Sequence, residues 1–328
     1  MENASHKRTP APTHLIVSKD ENGVSVDQSF YKSMIGSLLY LTTSRPDIAF
    51  VVGVCARYQA EPKVSHLNQL KRILKYVNGT SDYGMTYTHG SGSMLTGYCD
   101  ADWTGSVDDR KSTSGGCFFL GNNLISWFSK KPNCMSLSTA EAEYIAAGSS
   151  CSQLVWMKQM PTEYNVTQDV MTLYCDNLSA INISKNPIQH SRTNHTDIRH
   201  HFIRELVEEK IIALEHVTTE MQLADIFTKA LNANQFECLR GKLGICNSSD
   251  NPTSKDDMHH TDRVIRNLVT RILNEGHSVK GVSTPLSRRY PSPEVEPHNE
   301  KDDDSSRSEK DIAAEGLCSL GQTLPFLF

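Results

Sequence analysis

Four carboxylate side chains stand where predicted strands end or within predicted helices. They are Asp100 at the end of LTGYCD, Glu143 in AEAEYIA, Asp176 at the end of LYCD and Asp225 in LADIFTK. Strand ends and helix beginnings are positions where a fold can bring together side chains from distant parts of a sequence. Gathered carboxylates repel one another unless divalent cations bind between them, and oxygen ligands without Cys or His favour Mg²⁺ or Mn²⁺. The set therefore predicts a site for two such ions, which would activate a water molecule against a phosphodiester.

Two further acids lie next to members of this set. Glu141 is two residues from Glu143, about 200° around a helix, so the two glutamates cannot both face the same site. Ser138 and Glu141 form the S-x-x-E pattern of a capping box, which gives Glu141 a structural role at the helix start. Asp102 lies two residues from Asp100, and on a continuing strand both side chains point the same way. Either aspartate could therefore reach a metal ion.

Changes of pattern along the chain predict the elements that position these carboxylates. Residues 1–29 are polar and proline-containing, which predicts a flexible arm with little to bury. Apolar residues at helical spacing within residues 30–90 predict a small unit of three short helices. Strand-like runs follow from GMTYTH to LISWFS, and then helices alternate with strands until MQLADIFTKAL, which predicts the last helix. This order predicts an α/β domain over residues 93–246, in which helices cover a mixed sheet.

The segment of residues 247–328 differs in composition from the rest of the chain. It contains the run PSPEVEPHNEKDDDSSRSEKD, whose charge and proline content exclude a packed core. One amphipathic stretch, DRVIRNLVTRILNEG, has the spacing of a helix. We expect a mostly disordered tail.

Composition limits the classes of function. The chain has 328 residues and a net charge of −5, and its mean hydropathy of −0.43 is typical of a globular protein with polar segments. No apolar run approaches the roughly 20 residues of a spanning helix, and no secretory signal is present, which predicts a cytoplasmic protein with no membrane partner. The nine cysteines include no C-x-x-C pair, which indicates reduced thiols. The histidines of the HSRTNHTDIRHH segment lack the spacing of a zinc site, so zinc is not predicted.

The order strand-Asp, helix-Glu, strand-Asp, helix-Asp resembles that of ribonuclease H. The sequence around the four acids is similar to that of the copia-type retrotransposon version of this domain, and the similarity covers nearly all of residues 93–246. The motifs that carry the similarity are GYCDADWTG, DRKSTSGGCFFLG, ISWFSKKP, STAEAEYIA, YCDNLSAI, HTDIRHHFIRE and LADIFTKAL. Upstream, YKSMIGSLLYLTTSRPDIAF resembles the connection segment that joins the polymerase to the nuclease in those polyproteins.

The resemblance implies a fold and an activity. The fold is a ribonuclease H-like mixed five-stranded sheet flanked by helices, and the activity is metal-dependent hydrolysis of the RNA strand in RNA/DNA hybrids. Asp100, Glu143, Asp176 and Asp225 match the metal ligands, and motif position favours Asp100 over Asp102. The expected cofactors are two Mg²⁺ or Mn²⁺ ions. The expected partners are an RNA/DNA hybrid and the polymerase portion of the polyprotein, since no polymerase motif occurs in this sequence.

Substrate contacts and the proton donor are less well marked. Lys130, Lys131, Arg192 and Arg199 could contact phosphates, and an ordinary charged surface is an equally good interpretation of each. The loop TTEMQLA before Asp225 carries no histidine, so the group that protonates the leaving oxygen stays unassigned. The alternative function is a non-catalytic nucleic-acid-binding or structural remnant of a polyprotein without its polymerase domain.

Overall fold

The computed structural model describes six stretches of the chain, which include every element named below. They are residues 5–15, 17–88, 91–133, 135–163, 167–185 and 197–247. The predicted tail lies outside them, apart from residue 247. Within the described residues, no helix combines the length and apolar character that crossing a membrane requires.

Seven α-helices and seven strands are present in the described part of the chain. The helices are α1 Gln28–Leu41, α2 Ala49–Ala56, α3 Val64–Gly79, α4 Thr139–Glu163, α5 Leu178–Lys185, α6 Asp197–Glu208 and α7 Ala233–Lys242. The strands are β1 Tyr83–Met85, β2 Leu95–Asp102, β3 Thr113–Leu120, β4 Asn123–Lys130, β5 Met171–Cys175, β6 Ile212–His216 and β7 Ile245–Asn247. The three helices predicted near the N-terminus correspond to α1, α2 and α3.

Five of these strands form one mixed sheet in the order β4-β3-β2-β5-β6. The pairs β2–β3 and β3–β4 are antiparallel hairpin neighbours, whereas β2, β5 and β6 run parallel to one another. Parallel neighbours need a crossover, which α4 supplies between β2–β4 and β5, and α5 with α6 supplies between β5 and β6. The predicted mixed five-stranded sheet flanked by helices is confirmed.

Two sequence-based expectations differ from the structure. The run GMTYTH was predicted as a strand, but β1 covers only its first two residues and pairs antiparallel with β7 in a separate two-stranded sheet. The run MQLADIFTKAL was expected to form an α-helix, but its first residue ends the short 3₁₀ segment Thr219–Met221, and a second 3₁₀ segment, Leu223–Phe227, follows. Both differences arise from contacts with residues far away in the sequence, which local patterns do not record.

Helices cover both faces of the five-stranded sheet. On β3, Phe118 belongs to a core with α4, α5 and α6, whereas Cys117 and Phe119 belong to a second core with α1, α2 and α3. This is the alternation expected of neighbouring strand residues, whose side chains point to opposite faces. Phe227 and Phe236 also pack into the second core. The N-terminal helices therefore form one layer of the packed unit to which the sheet belongs.

The start of the chain packs more closely than its composition predicts. Thr9, Pro10 and Ala11 are buried, and Arg72 on α3 donates to the Thr9 hydroxyl at 3.0 Å and to the Ala11 carbonyl at 3.2 Å. Arg8 pairs with Glu237 on α7 at 2.8 Å. The expectation of little to bury thus does not hold for residues 9–11, whose small side chains are buried where the segment contacts α3. The predicted boundaries at residues 29, 90 and 246 stay a prediction.

A buried polar network ties the N-terminal helices to α7. Arg45 donates to both carboxylate oxygens of Asp47, at 2.9 and 2.8 Å, and to the carbonyl and hydroxyl of Thr80. Tyr76 donates to Asp47 at 2.5 Å and accepts from Arg240 on α7 at 3.2 Å. Burial alone would raise the pKa of Asp47, but the charge of Arg45, together with the hydrogen bonds from Arg45 and Tyr76, outweighs burial and lowers that pKa below its ordinary value.

Replacing Arg45 by Met is expected to lower the free energy of unfolding by about 3–5 kcal/mol, because it leaves the buried Asp47 carboxylate without its partner. Urea denaturation followed by circular dichroism measures this change. Arg8→Met is the matched control, since it removes an ion pair whose arginine is 65% exposed and should change stability little. Equal losses for the two variants would contradict a special role for the buried network.

Removing the N-terminal helices is expected to prevent folding of the sheet. A chain of residues 93–247 would expose Phe119, Leu124 and Phe236, which pack in the second core, and should show no cooperative thermal transition. A chain of residues 1–247 should unfold cooperatively, with the thermal midpoint of the full chain. A cooperative transition in residues 93–247 alone would show that the sheet and its helices form an independent domain.

Candidate active site

Three of the four predicted carboxylates converge at one edge of the sheet. One oxygen from each of Asp100, Asp176 and Asp225 lies within 4.8 Å of the other two. Tyr98 on β2 pairs with Tyr174 on the parallel neighbour β5, and each aspartate follows two residues later. Because parallel strands end at the same edge, the two carboxylates must lie close together. Asp225 reaches them from the 3₁₀ segment Leu223–Phe227.

Glu143, the fourth predicted residue, lies beside this group on the buried side of α4. Its carboxylate accepts from the Ala101 backbone N–H at 3.3 Å and lies 3.8 Å from the Cys175 thiol. Glu143, Cys175 and Asp176 form a second group of clustered ligating atoms. The structure therefore brings all four predicted acids to one place, with Asp176 in both groups.

Glu141 is held at the start of α4. Its backbone N–H donates to the Ser138 hydroxyl at 3.2 Å, and its carboxylate accepts from the Leu137 N–H at 2.7 Å. This is the reciprocal arrangement of a capping box, with the second bond shifted by one residue. The arrangement agrees with the structural role that the sequence predicts for Glu141.

Several groups that the sequence analysis missed support the carboxylates. The Thr228 hydroxyl donates to Asp100. Lys229 lies 2.8 Å from Asp225 Oδ1 and 3.8 Å from Asp100 Oδ2, and the Thr219 hydroxyl donates to Asp176 at 3.0 Å. Lys229 stands four residues after Asp225, a spacing that could have marked it as a partner. Burial alone would lower the pKa of Lys229, but the charges of Asp100 and Asp225 raise it overall.

Gly115 allows the segment that bears Asp225 to lie directly on β3. A Cβ atom at this position would lie 2.7 Å from Phe227 Cβ and 2.7 Å from Thr228 Cγ2, which is closer than side-chain packing permits. The Gln222 side chain adds a hydrogen bond of 2.9 Å to the Cys99 carbonyl on β2. A glycine at this point of the DRKSTSGGCFFLG motif therefore helps to set the distance between Asp225 and Asp100.

The electrostatics of the cluster fit a divalent cation. Asp225 is fully buried, and its Oδ2 atom has no hydrogen-bond partner among the described residues. Burial, and then the charge of Asp100, raise the pKa of both Asp225 and Glu143. Carboxylate oxygens are the hard ligands that Mg²⁺ and Mn²⁺ prefer. An unsatisfied oxygen among repelling carboxylates is what a bound cation would correct.

Asp102, the alternative to Asp100, is not part of either group of clustered atoms among the described side chains. It lies at the last position of β2, and burial followed by the charge of Asp100 raises its pKa. His216, on the strand before the segment that bears Asp225, ends β6 and is exposed. Neither clustered group contains a histidine. The side chains of the HSRTNHTDIRHH segment are not among those that the structure describes.

The four predicted phosphate contacts differ in what the structure shows. Lys130 ends β4, with its Nζ 5.0 Å from the centre of the Phe128 ring. Lys131 forms an ion pair of 2.6 Å with Asp109, which neutralises it. Arg192 lies outside the described residues, and Arg199 lies on α6 in a part whose side chains are not described. A substrate role for these residues stays a prediction.

In the presence of chelator, the wild-type protein should lose stability relative to the Glu143→Gln variant as the pH rises from about 5 to about 8. The pKa of Glu143 is raised in the folded state, so the folded carboxyl keeps its proton where the unfolded one has lost it, and stability falls with pH. The divergence should approach about 1.4 kcal/mol per pH unit at most. Urea denaturation of both proteins measures it, with equal m-values as the control. Parallel curves would mean that Glu143 is not buried among like charges.

No family model matches the chain. It is 38% identical over 252 residues to the retrovirus-related Pol polyprotein from transposon TNT 1-94 of Nicotiana tabacum, covering 75% of this chain and 19% of that protein. It is 38% identical over 220 residues to the corresponding polyprotein from transposon RE2 of Arabidopsis thaliana, covering 67% of this chain and 15% of that protein. The chain thus spans less than a fifth of the length of these relatives.

Solved structures of ribonuclease H1 are also similar. The enzyme LC11, isolated from compost, is 14% identical, with a TM-score of 0.34, covering 42% of this chain and 96% of that one. The enzyme from Halobacterium salinarum is 13% identical, with a TM-score of 0.31, covering 41% of this chain and 94% of that one. By sequence, the homologues of this chain are retrovirus-related Pol polyproteins of transposons.

Proposed function

We propose that this chain is a metal-dependent ribonuclease H that hydrolyses the RNA strand of RNA/DNA hybrids. The observation that carries the proposal is the convergence of Asp100, Asp176 and Asp225, with Glu143 beside them, at one edge of the sheet. The family supports it, because the relatives are Pol polyproteins of transposons. The polymerase portion of such a polyprotein is the proposed protein partner, and a cytoplasmic location remains a prediction.

The proposed cofactors are two Mg²⁺ or Mn²⁺ ions held by these four carboxylates. When bound, the two cations would lower the pKa of a water molecule and stabilise the leaving oxygen of the phosphodiester. The chain supplies the ligands in a prearranged form. The Thr228 hydroxyl holds one oxygen of Asp100, and the Thr219 hydroxyl holds one oxygen of Asp176. Each of these aspartates keeps its second oxygen for a cation.

The surroundings of Glu143 also suit this chemistry. Its carboxylate is anchored by the Ala101 N–H, and the side chain is buried among the Cys99, Ala146 and Cys175 core residues on the α4 face of the sheet. A carboxylate in such a position loses little conformational freedom when it binds a cation, since packing already restricts it. The same burial keeps bulk water from one side of the site.

The Asp176→Asn variant should lose at least about 100-fold in the rate of hybrid cleavage in Mg²⁺. The substitution keeps the shape of the side chain and removes one charge from the residue shared by both clustered groups. Cleavage of a labelled RNA strand measures the rate, and chelator should abolish it in the wild type. The thermal midpoint should be unchanged or slightly higher, because repulsion between carboxylates is relieved.

Glu141→Gln is the matched control, since Glu141 lies on the same helix as Glu143 but is held at the helix start. It should retain the wild-type rate. If the wild type and Asp176→Asn were equally inert across metals and salt concentrations while both still bound the hybrid, the chain would be a binding remnant and not a nuclease.

A further inference from the structure

An open cleft lies beside the carboxylates and has no part in the function described so far. Its volume is about 330 Å³. The N-terminal arm forms one wall, which includes His14, and the other wall includes Arg57 at the end of α2 and Thr113 at the start of β3. Asp102 and Lys229 also line it. Because Lys229 contacts Asp225 and Asp100, the cleft borders directly on the proposed metal site.

The cleft is a fixed feature of the fold, because hydrogen bonds anchor both ends of the arm segment that forms one of its walls. At one end, Arg72 on α3 bonds to Thr9 and Ala11. At the other end, the Tyr58 hydroxyl lies 2.8 Å from the Val17 carbonyl oxygen and 3.0 Å from Asp108. The arm is thus held at a distance from the sheet, and the space between them stays open.

Arg57 is the cation of this cleft that lacks an acidic partner. Its guanidinium donates to the Thr113 hydroxyl at 3.1 Å, and no ion pair to it occurs among the described residues. Burial lowers its pKa, and the charges of Asp109 and Asp102 oppose that effect. The group stays protonated at neutral pH. A half-buried cation without a carboxylate partner is costly unless an anion binds to it.

We infer that this cleft binds a backbone phosphate of the RNA/DNA hybrid, with Arg57 as the main contact. The inference rests on the proposed function. Guanidinium groups bind phosphate oxygens through paired hydrogen bonds, and Arg57 has donors left after its bond to Thr113. The carboxylate cluster repels a polyanion, so a cation beside it would hold the strand in place. Such a contact positions a duplex without reading its sequence.

The N-terminal helices and the arm both contribute residues to this proposed phosphate site. Arg57 belongs to the segment upstream of the sheet, yet it bonds to β3 through Thr113. His14 belongs to the arm and is exposed on the opposite wall. The complete substrate site therefore includes residues from before residue 93.

Arg57→Gln tests the contact directly. Fluorescence anisotropy of a labelled hybrid, in chelator so that no cleavage occurs, should show roughly tenfold weaker binding at about 0.1 M salt. The slope of log K against log salt should become shallower by about one unit, because one phosphate contact is lost. Lys71→Gln is the matched control, since it removes one positive charge from α3, which does not line the cleft. It should leave the slope unchanged.

His14→Glu tests the same cleft from the arm without altering a buried residue. It adds a negative charge at an exposed position and should weaken hybrid binding, whereas Asn78→Glu on α3 should do so much less. Thermal unfolding of each variant checks that the fold is retained. In single-turnover cleavage with Mg²⁺, where enzyme is in excess over hybrid, both cleft variants should raise the enzyme concentration needed for half-maximal rate more than they lower the maximal rate.

The outcomes separate the two proposals. If the wild type cleaves hybrid but Arg57→Gln and His14→Glu keep its affinity and salt slope, the cleft does not hold a phosphate and the nuclease proposal survives. If Arg57→Gln and Lys71→Gln weaken binding equally, the effect is bulk charge and the inference is wrong. If the wild type neither binds nor cleaves hybrid, the proposed function fails, and the inference fails with it.

Discussion

The repulsion between buried carboxylates is the constraint on which the rest of this structure depends. Three aspartate oxygens lie within 4.8 Å of one another, and Asp225 is fully buried. Burial raises the free energy of such charges, and proximity raises it further. A flexible scaffold would relieve the strain by moving the side chains apart. The fold must therefore be rigid where these residues lie, and its architecture supplies that rigidity from both faces of the sheet.

The packing on the second face explains how this rigidity is achieved. The core formed with α1, α2 and α3 presses on the same strand, β3, against which the segment with Asp225 lies. Gly115 permits the close approach, and the Thr228 hydroxyl then reaches Asp100. The buried Arg45–Asp47–Tyr76–Arg240 network joins the N-terminal helices to α7, which follows that segment in the chain. The N-terminal helices are thus part of the support for the proposed metal site.

The sequence predicted the features that depend on local pattern and on strand order. Asp100 lies near the end of β2 and Asp176 directly follows β5, so their meeting follows from two parallel neighbours in one sheet. The role of Glu141 followed from a capping pattern of four residues. The 3₁₀ segment around Asp225 and the burial of Thr9 and Ala11 could not be predicted in this way. They depend on contacts of single residues with β3, α3 and α7, which lie far away in the sequence.

Lys229 partly neutralises the clustered carboxylates before any cation binds. Its ammonium group lies 2.8 Å from Asp225 and within 4 Å of Asp100, so it neutralises part of the repulsion that the fold must bear. It does not satisfy Asp225 Oδ2, and a single positive charge does not balance the three clustered aspartates. The lysine therefore stabilises the folded state while leaving the cluster with a net negative charge. In the proposed function, that remaining charge attracts divalent cations, and Arg57 in the adjoining cleft carries the positive charge that would bind a substrate phosphate. The acidic cluster and the arginine thus lie side by side, which is the arrangement that the proposed binding of a phosphodiester between metal ions and protein would require.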